Sequence, residues 1–438
     1  MSNMPALASL PWTTYAVAGL AVFMAWKLQR FARADADLRL LSKHHPSQQS
    51  FKGQVIWIIG ASQGLGEELA KWFAAHGAHL ILSSRRLDQL QRVAGALYRT
   101  GSEQQIQCLP FDLLAAQETL EAAVRDAHTI ADAWATSVPG ITHLVLNAGV
   151  GQAGAAEDTP RQVPAQLLEL NSVAPIRLTQ ALLPFWLSKT PPHHTPQQTA
   201  QDGDPHSCSA AEGEPPHPTH SDATAASAAP AVPYPIRGSP TAASPAQPGA
   251  HTQSGVQPQA EVGASSATEH LAGSSGVKQR RITVVSSMAA KVPSPGQALY
   301  AASKAALHGY YHSLASELAD RGIGVTICCP GPIAATQEGQ MRAVWGAQGL
   351  TSKPAQVGSG SRQHSSRVAS LIGTATYHGL QECWISKHPI LILGYIFQLL
   401  PALGHWIMTI IGPKRVAQYR GGGGGYDLGS MLKRSARQ

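Results

Sequence analysis

Tyr300 and Lys304 stand four residues apart in Tyr300-Ala301-Ala302-Ser303-Lys304, a spacing that stacks a phenol and an ammonium on one helical face. Such a pair makes an acid/base catalyst. A free tyrosine ionises near pH ~10, and an ammonium ~4 Å away at an effective dielectric near 20 favours the phenolate by roughly 4 kcal/mol, or about three pKa units. Desolvation offsets part of that gain. The remainder moves the phenol toward neutral pH, where it can give a proton to a carbonyl oxygen or take one from an alcohol. The string alone fits a solvated helix face equally well, so its neighbours decide the matter.

Residues 54–59, Gln-Val-Ile-Trp-Ile-Ile, read as a buried strand that runs into Gly60-Ala61-Ser62-Gln63-Gly64-Leu65-Gly66 and then an amphipathic helix over 65–76. Glycines let the backbone turn tightly and approach a pyrophosphate, while the helix start offers N–H groups and its positive dipole end to the anion. The spacing is Gly-x-x-x-Gly-x-Gly. A three-glycine loop alone is often a plain turn, but one that follows a strand and opens a helix has the context of a nucleotide site.

From the glycine loop onward the chain carries, in order, Asn147-Ala148-Gly149, Asn171, Ser286-Ser287, Tyr300 with Lys304, and Pro330-Gly331. This set resembles the short-chain dehydrogenase/reductase family from Lys52 to about Ser386, apart from one long insertion. The strings Gly66-Glu67-Glu68-Leu69-Ala70, Leu80-Ile81-Leu82-Ser83-Ser84-Arg85-Arg86 and Trp384-Ile385-Ser386 are similar to a membrane-associated branch of that family. The resemblance implies an α/β fold, a Rossmann-type doubly wound parallel sheet, built as a single catalytic domain.

The same resemblance implies roles for individual residues. Ser287, thirteen residues before Tyr300, would orient the substrate oxygen, and Ser286 would be structural. Tyr300 would transfer the proton. Lys304 would lower the tyrosine's pKa and bind the nicotinamide ribose, and Asn171 would hold a water joining that lysine to solvent. Gly60, Ser62, Gln63, Gly64, Leu65 and Gly66 would take the pyrophosphate. Asn147, Ala148 and Gly149 would line the cofactor floor, with Pro330, Gly331 and Ile333 closing over the nicotinamide. Asp112 matches the family position near the adenine, though an aspartate there equally caps the next helix. No acidic residue ends the second strand, 79–83, where NAD would need one; Arg85 stands there instead and would pair with the 2′-phosphate of NADP(H). Two departures are Ile59, where a threonine is common, and Thr336, one residue later than the usual spacing.

The 438 residues exceed the roughly 250 that one such domain needs. An N-terminal membrane anchor accounts for 1–30, the cofactor-binding first part of the sheet for 50–187, and the catalytic second part for 279–386. Between them, 188–278 turns to Pro, Ser, Ala, Gln, His and Gly with Tyr234 as its only aromatic, a composition expected to be disordered. It should leave the sheet on the side away from the catalytic crevice. Closing a loop of about 90 residues rather than about 5 costs only about 2.5 kcal/mol. A Pro-rich docking segment for a partner is the other reading of that stretch.

Residues 7–26 are uncharged and mostly apolar, long enough for a transmembrane helix. Lys27, Arg30, Arg33, Arg39 and Lys43 follow, which places the catalytic domain on the cytosolic face, with the endoplasmic reticulum as the expected membrane. A cleaved signal peptide fits less well, since the basic segment before the apolar run is missing. Residues 387–420 form an apolar segment whose core, 389–412, is interrupted by Gln398, Pro401 and Gly404; it reads as an interfacial helix or hydrophobic cap, with a second span or a core helix as alternatives. Residues 421–438 make a flexible basic tail, and its Gly421–Gly425 run lacks the strand and Lys-Ser/Thr of a phosphate loop.

A net charge of +7 raises the question of nucleic acid, but the cations cluster beside the apolar ends, Lys414, Arg415 and Arg420 among them, where anionic lipid explains them better. Five cysteines, Cys108, Cys208, Cys328, Cys329 and Cys383, form no Cys-x-x-Cys pair and give an odd count, which suits a reducing compartment. Several of the nineteen histidines, His193, His194, His217 and His220, fall in the insertion, so no metal is expected. The expected activity is NADPH-dependent reduction of a lipophilic carbonyl compound, reversible as an alcohol dehydrogenase; retinoids and steroids are the family's substrate types. The segment 332–377 should cover the substrate, and a homodimer is compatible with this reading. The alternative is a catalytically silent nucleotide-binding scaffold that recruits partners through the insertion.

Overall fold

In the computed structural model, residues 12–99, 104–134, 138–188, 280–334, 341–346, 349–354 and 362–420 are described. Seven short runs rich in Val, Ile and Leu form strands: β1 (Val55–Ile59), β2 (His79–Ser83), β3 (Ile106–Cys108), β4 (His143–Leu146), β5 (Arg280–Val285), β6 (Ile323–Pro330) and β7 (Glu382–Ile385). They make one sheet in the order β7-β6-β5-β4-β1-β2-β3, with every neighbouring pair parallel. Parallel strands need crossovers, and helices supply them.

Helix α1 (Trp12–Ala32) precedes the sheet. Then α2 (Gly64–Ala75), α3 (Leu87–Arg99), α4 (Gln117–Asp132), α5 (Ala174–Ser188), α6 (Ala298–Glu317) and α7 (Ser365–His378) alternate with the strands, and α8 (Ile390–Leu399) and α9 (Pro401–Arg420) follow. The strand order reverses between β1 and β4, and the crevice outside the carboxyl ends of the strands at that point is where such sheets bind ligands.

All five residues of β1 are buried, because helices cover both faces of the sheet. Successive side chains point to opposite faces. Val55, Trp57 and Ile59 therefore join a core with Leu120 of α4, Leu178 and Leu182 of α5 and Leu314 of α6. Ile56 and Ile58 join the opposite core with Leu69 and Phe73 of α2 and Val368 and Ile372 of α7. Each fully buried Ile or Leu contributes roughly 1.5–3 kcal/mol, so the sheet is held rigidly beneath the crevice. The one polar atom that β1 brings into its core from a side chain, Trp57 Nε1, donates to Ser83 Oγ at 2.8 Å.

The doubly wound sheet agrees with the sequence reading, with small shifts at element ends. The first crossover helix begins at Gly64 and ends at Ala75, and β5 stops at Val285, leaving Ser286 and Ser287 on the turn beyond it. The insertion, with Cys208, Tyr234 and its histidines, lies outside the described residues, as do Thr336 and the glycine run near the C-terminus. Its two anchor points are described. Arg280, the first residue of β5, donates from Nη1 to the Trp186 carbonyl near the end of α5 at 2.7 Å, with its guanidinium 6.0 Å from the Trp186 ring centre.

The apolar ends depart from expectation. Among the described residues no helix is long and apolar enough to cross a membrane, which corrects the transmembrane reading as far as α1 covers it. Residues 7–11 of the expected span lie outside the described residues, and α1 carries the remaining 12–26 followed by Lys27, Gln29 and Arg30. The second full span considered over 389–412 is two helices instead, broken at Leu400. Pro401 disfavours helical backbone at the residue before it, and Leu400 accordingly has φ −136° and ψ 63°. Ile390, Leu393 and Phe397 face the core, whereas Leu399, Leu400, Leu403 and Trp406 are exposed.

Candidate active site

A cavity of about 740 Å³ opens at the carboxyl ends of β1, β4 and β5, where Ile59, Gly60, Asn147 and Ser287 reach it. On its nucleotide side the backbone is packed closely enough to exclude side chains. Gly60 has φ +83°, and a Cβ there would lie 2.9 Å from the Ala148 backbone. A Cβ on Gly66 would fall 2.0 Å from the Gly60 carbonyl oxygen and 2.7 Å from Asn147 Nδ2. Asn147 Nδ2 in turn donates to that carbonyl at 3.0 Å, which locks the glycine turn against the end of β4.

Helix α2 begins directly after Gln63 with no side-chain cap, and Ser62, Gln63, Gly64 and Leu65 line the cavity at that end. An uncapped helix start beside a cradle that a Cβ would fill suits a pyrophosphate. Arg85 lies exposed on the cavity wall past β2, while its neighbour Arg86 donates from Nη2 to Gln63 Oε1 at 3.2 Å. Asp112 also lines the cavity. Its Oδ1 accepts from the Leu114 N–H at 3.1 Å, a local turn, and α4 starts only at Gln117 behind Ala116. The helix-cap alternative for Asp112 is thereby corrected: three residues separate it from the N-cap position, Ala116, and place it too far upstream.

On the catalytic side Ser287 and Tyr300 line the cavity together with Ala148, Gly149, Gly331 and Ile333. Ser287 caps a one-turn 3-10 helix, Met288–Ala290, by accepting from the Ala289 N–H at 3.1 Å, and its hydroxyl donates weakly to the Pro330 carbonyl at 3.4 Å. Lys304 sits one turn behind Tyr300 in α6, buried, with Nζ donating to the Val285 carbonyl at 2.9 Å. Gly149 lets that ammonium pack close to the backbone, since a Cβ there would lie 3.3 Å from Nζ, a tight contact. Burial lowers the Lys304 pKa to about 8, with Cys329 opposing the shift.

Four expected residues stand behind the wall instead of on it: Gly66, Asn171, Lys304 and Pro330. Asn171 is fully buried in a π-turn, Glu169–Val173, a local unwinding that occurs often at functional sites. Its Oδ1 accepts from the Val150 N–H at 2.8 Å, and its Nδ2 donates to the Val150 carbonyl at 2.9 Å and to Ser303 Oγ at 3.0 Å. Both amide hydrogens are thus committed to positioning. Ser303 Oγ donates to the Tyr300 carbonyl at 2.8 Å, so Asn171 braces the turn that carries the phenol.

Sequence reasoning missed Gln152. This buried side chain accepts at Oε1 from the N–H groups of both Leu299 and Tyr300, at 2.9 and 3.1 Å, and so caps α6 where Gln297 provides no side-chain cap. No local pattern announces such a cap, because it comes from 148 residues away. The apolar wall was also unread: Ile390 and Leu393 of α8 and Met408 and Ile411 of α9 line the cavity. From the segment expected to cover the substrate, Val344, Arg362 and Ser365 reach it.

Beyond the wall, α6 carries His308 and His312 on the same face as Tyr300 and Lys304. His308, Cys329 and Glu382 bring potential metal-ligating atoms within 4.8 Å of one another. The oxygens of Glu382 are already engaged, however, by Lys291, His312 and Trp384 at 2.7, 2.8 and 2.6 Å. Burial raises the Cys329 thiol well above its ordinary range, which disfavours a thiolate ligand.

The comparison with known proteins agrees with this geometry. The family model described as short chain dehydrogenase matches residues 54–191 and 263–344. Human dehydrogenase/reductase SDR family member 7 is 26% identical over 407 residues, covering 90% of this chain and 89% of its own. Mouse member 7B is 32% identical over 177 residues, 40% of this chain and 48% of that one. A solved short-chain dehydrogenase from Streptomyces avermitilis, 19% identical, shares the fold with a TM-score of 0.50 over 81% of this chain and 97% of its own. With the glycine turn, the Asn171 brace and the Tyr300–Lys304 helix all in place on one sheet, the chain belongs to the short-chain dehydrogenase family.

Proposed function

We propose that the protein is an NADPH-dependent reductase of lipophilic carbonyl compounds, reversible as an alcohol dehydrogenase. The observation that carries this reading is the buried Lys304 one helical turn behind Tyr300, with Ser287 and Tyr300 on the wall of the same cavity. The cradle of Gly60, Gly64 and Gly66 with the α2 start fits a dinucleotide pyrophosphate, and Asn147, Ala148 and Gly149 form its floor. Arg85 offers a planar fork to a 2′-phosphate, and no carboxylate ends β2 to favour a free 2′-hydroxyl. Gly331 and Ile333 on the cavity wall, with Pro330 behind it, would close over the nicotinamide. When bound, the cofactor supplies the hydride.

The chain's own groups manage the oxygen of the substrate. Ser287 Oγ donates to it and sets its orientation. Tyr300 donates its phenolic proton to that oxygen as negative charge develops there, and takes it back in the oxidative direction. The positive charge on Lys304 Nζ stabilises the phenolate left behind. Asn171 and Gln152 act on the backbone, through Ser303 and through the Leu299 and Tyr300 N–H groups, to fix where the phenol stands.

The lipophilic substrate class is supported by the apolar part of the opposite wall, Ile390, Leu393, Met408 and Ile411, beside which Arg415 also lines the cavity. Membrane contact accompanies it. Helix α1 exposes Leu20, Phe23, Met24 and Trp26, and the α8–α9 pair exposes Leu399, Leu403 and Trp406, a surface suited to a bilayer interface beside Lys27 and Arg30. The test is NADPH oxidation by the detergent-purified protein against a panel of retinal, steroid ketones and fatty ketones. Tyr300→Phe should lower kcat by a factor on the order of 10²–10⁴ while NADPH binding survives. Undiminished turnover in that variant would remove the mechanism, and cofactor binding without turnover on any carbonyl would favour a scaffold.

A further inference from the structure

We infer that Glu382 is a positioning residue that clamps the Ser287 turn to the Tyr300 helix. The two groups that must act on one substrate oxygen are carried by different elements: Ser287 by the turn after β5, Tyr300 by α6. Distance between those elements sets whether both can reach the same atom. Glu382, at the start of β7, touches both. Its Oε2 accepts from Lys291 Nζ at 2.7 Å, and Lys291 is the C-cap of the same 3-10 turn that Ser287 N-caps. The same oxygen meets His308 Nδ1 at 3.2 Å and His312 Nε2 at 2.8 Å, one and two turns beyond Lys304 on α6.

The other face of His308 closes the circuit, since its Nε2 lies 2.9 Å from Oγ of Ser286, the residue next to Ser287. That hydroxyl also donates to the Lys304 carbonyl at 3.2 Å. Trp384 Nε1 holds the remaining oxygen, Oε1, at 2.6 Å, so the carboxylate cannot turn away. Burial alone would raise the Glu382 carboxyl, yet the bonds from His308, Lys291 and Trp384 outweigh it and hold the group charged throughout the working range. A cation at the end of the short turn also suits the turn's dipole. Lys291 and Glu382 are each mostly shielded from water, at 16% and 19% exposure, which keeps the pair from being screened as a surface bridge would be.

This inference rests on the reductase reading, and its test separates the two. Lys291→Met and Glu382→Gln are compared with the wild type, using as substrate whichever panel carbonyl the wild type turns over and, independently of any turnover, amide hydrogen exchange. Each variant should lower kcat by about tenfold while leaving the NADPH Kd within about twofold, because the clamp sets a geometry used in the transition state. The double variant should be no slower than either single one, as expected for partners in one interaction. Lys291→Arg should restore most of kcat.

Amides of 287–292 should exchange faster in both single variants, with α2 protected as before. Unchanged kcat in both variants, additive losses, or unchanged exchange in that peptide would overturn the clamp, as would a uniform loss of protection across the sheet. Should Tyr300→Phe retain full activity, the reductase reading falls, and the exchange result alone still decides whether Glu382 holds the turn.

Discussion

The two walls of the cavity are built on opposite principles. The cofactor wall is mostly backbone: the Gly60 and Gly66 turns, the α2 start and the Asn147 amide bonded to the Gly60 carbonyl leave little room for any added carbon. The substrate wall is mostly side chain, with Leu393, Met408 and Ile411 projecting from two helices joined at Leu400. Backbone recognition demands particular residues at fixed spacing, whereas an apolar wall asks only for volume. One cavity can therefore combine a fixed reagent site with a substrate site that changes readily.

The comparison breaks most sharply at Gly66. An alanine there meets backbone that cannot withdraw, so Gly66→Ala should weaken NADPH binding by a factor of about 100 or more and destabilise the fold by roughly 1–3 kcal/mol. Fluorescence titration of NADPH and a thermal melt would read both, and a variant that binds normally would show that the turn is softer than its packing indicates.

Lys304 tests the cost of placing a cation behind that wall. Its pKa is lowered to about 8 by burial, so the unfolded chain binds more protons between that value and the ordinary 10.5. Stability of the apo protein should therefore rise with pH across that window, by about 3 kcal/mol at most. Lys304→Met should melt higher than wild type below pH 8, with the gap closing as pH rises through 8 to 10.5, while its turnover is lost. A wild-type melting temperature that stays level or falls relative to the variant over that window would refute the burial cost.

The smallest effect belongs to the opposite wall. Met408→Ala should change kcat/KM for a bulky apolar ketone by about tenfold or less and leave the NADPH Kd untouched, since trimming a few methylenes in an apolar pocket is worth roughly 1–3 kcal/mol. An equal change in cofactor affinity would mean that the two walls are coupled.

The same contrast explains what could be read before the fold was known. The glycine turn and the Tyr300–Lys304 pair were legible because each answers a local geometric demand, a tight turn with close approach or a helical spacing of four, whereas Asn147 and Ser287 came with the family resemblance. The strands at 54–59 and 79–83 were legible before the fold was known, the first as an apolar run. Gln152 was not, because its bonds to Leu299 and Tyr300 join distant segments. Nor was the Glu382 network, whose members lie on a turn, a helix and an edge strand. The break at Leu400 was foreshadowed by Pro401, but which residues of α8 and α9 would turn toward the cavity depends on packing that no short pattern encodes. The apolar N-terminal run was read as a span from the length and hydropathy of 7–26, whereas α1 carries only 12–26 of it before Lys27, Gln29 and Arg30.

The hydrogen bond from Arg280 to the Trp186 carbonyl gives the molecule a graft point. It pins the outgoing and returning chain at the floor of the sheet, at the opposite pole from the chemistry. Whatever joins those two residues, whether shortened, lengthened or exchanged for a reporter, enters and leaves through the same gate. A change of length between those residues should accordingly leave kcat as it is.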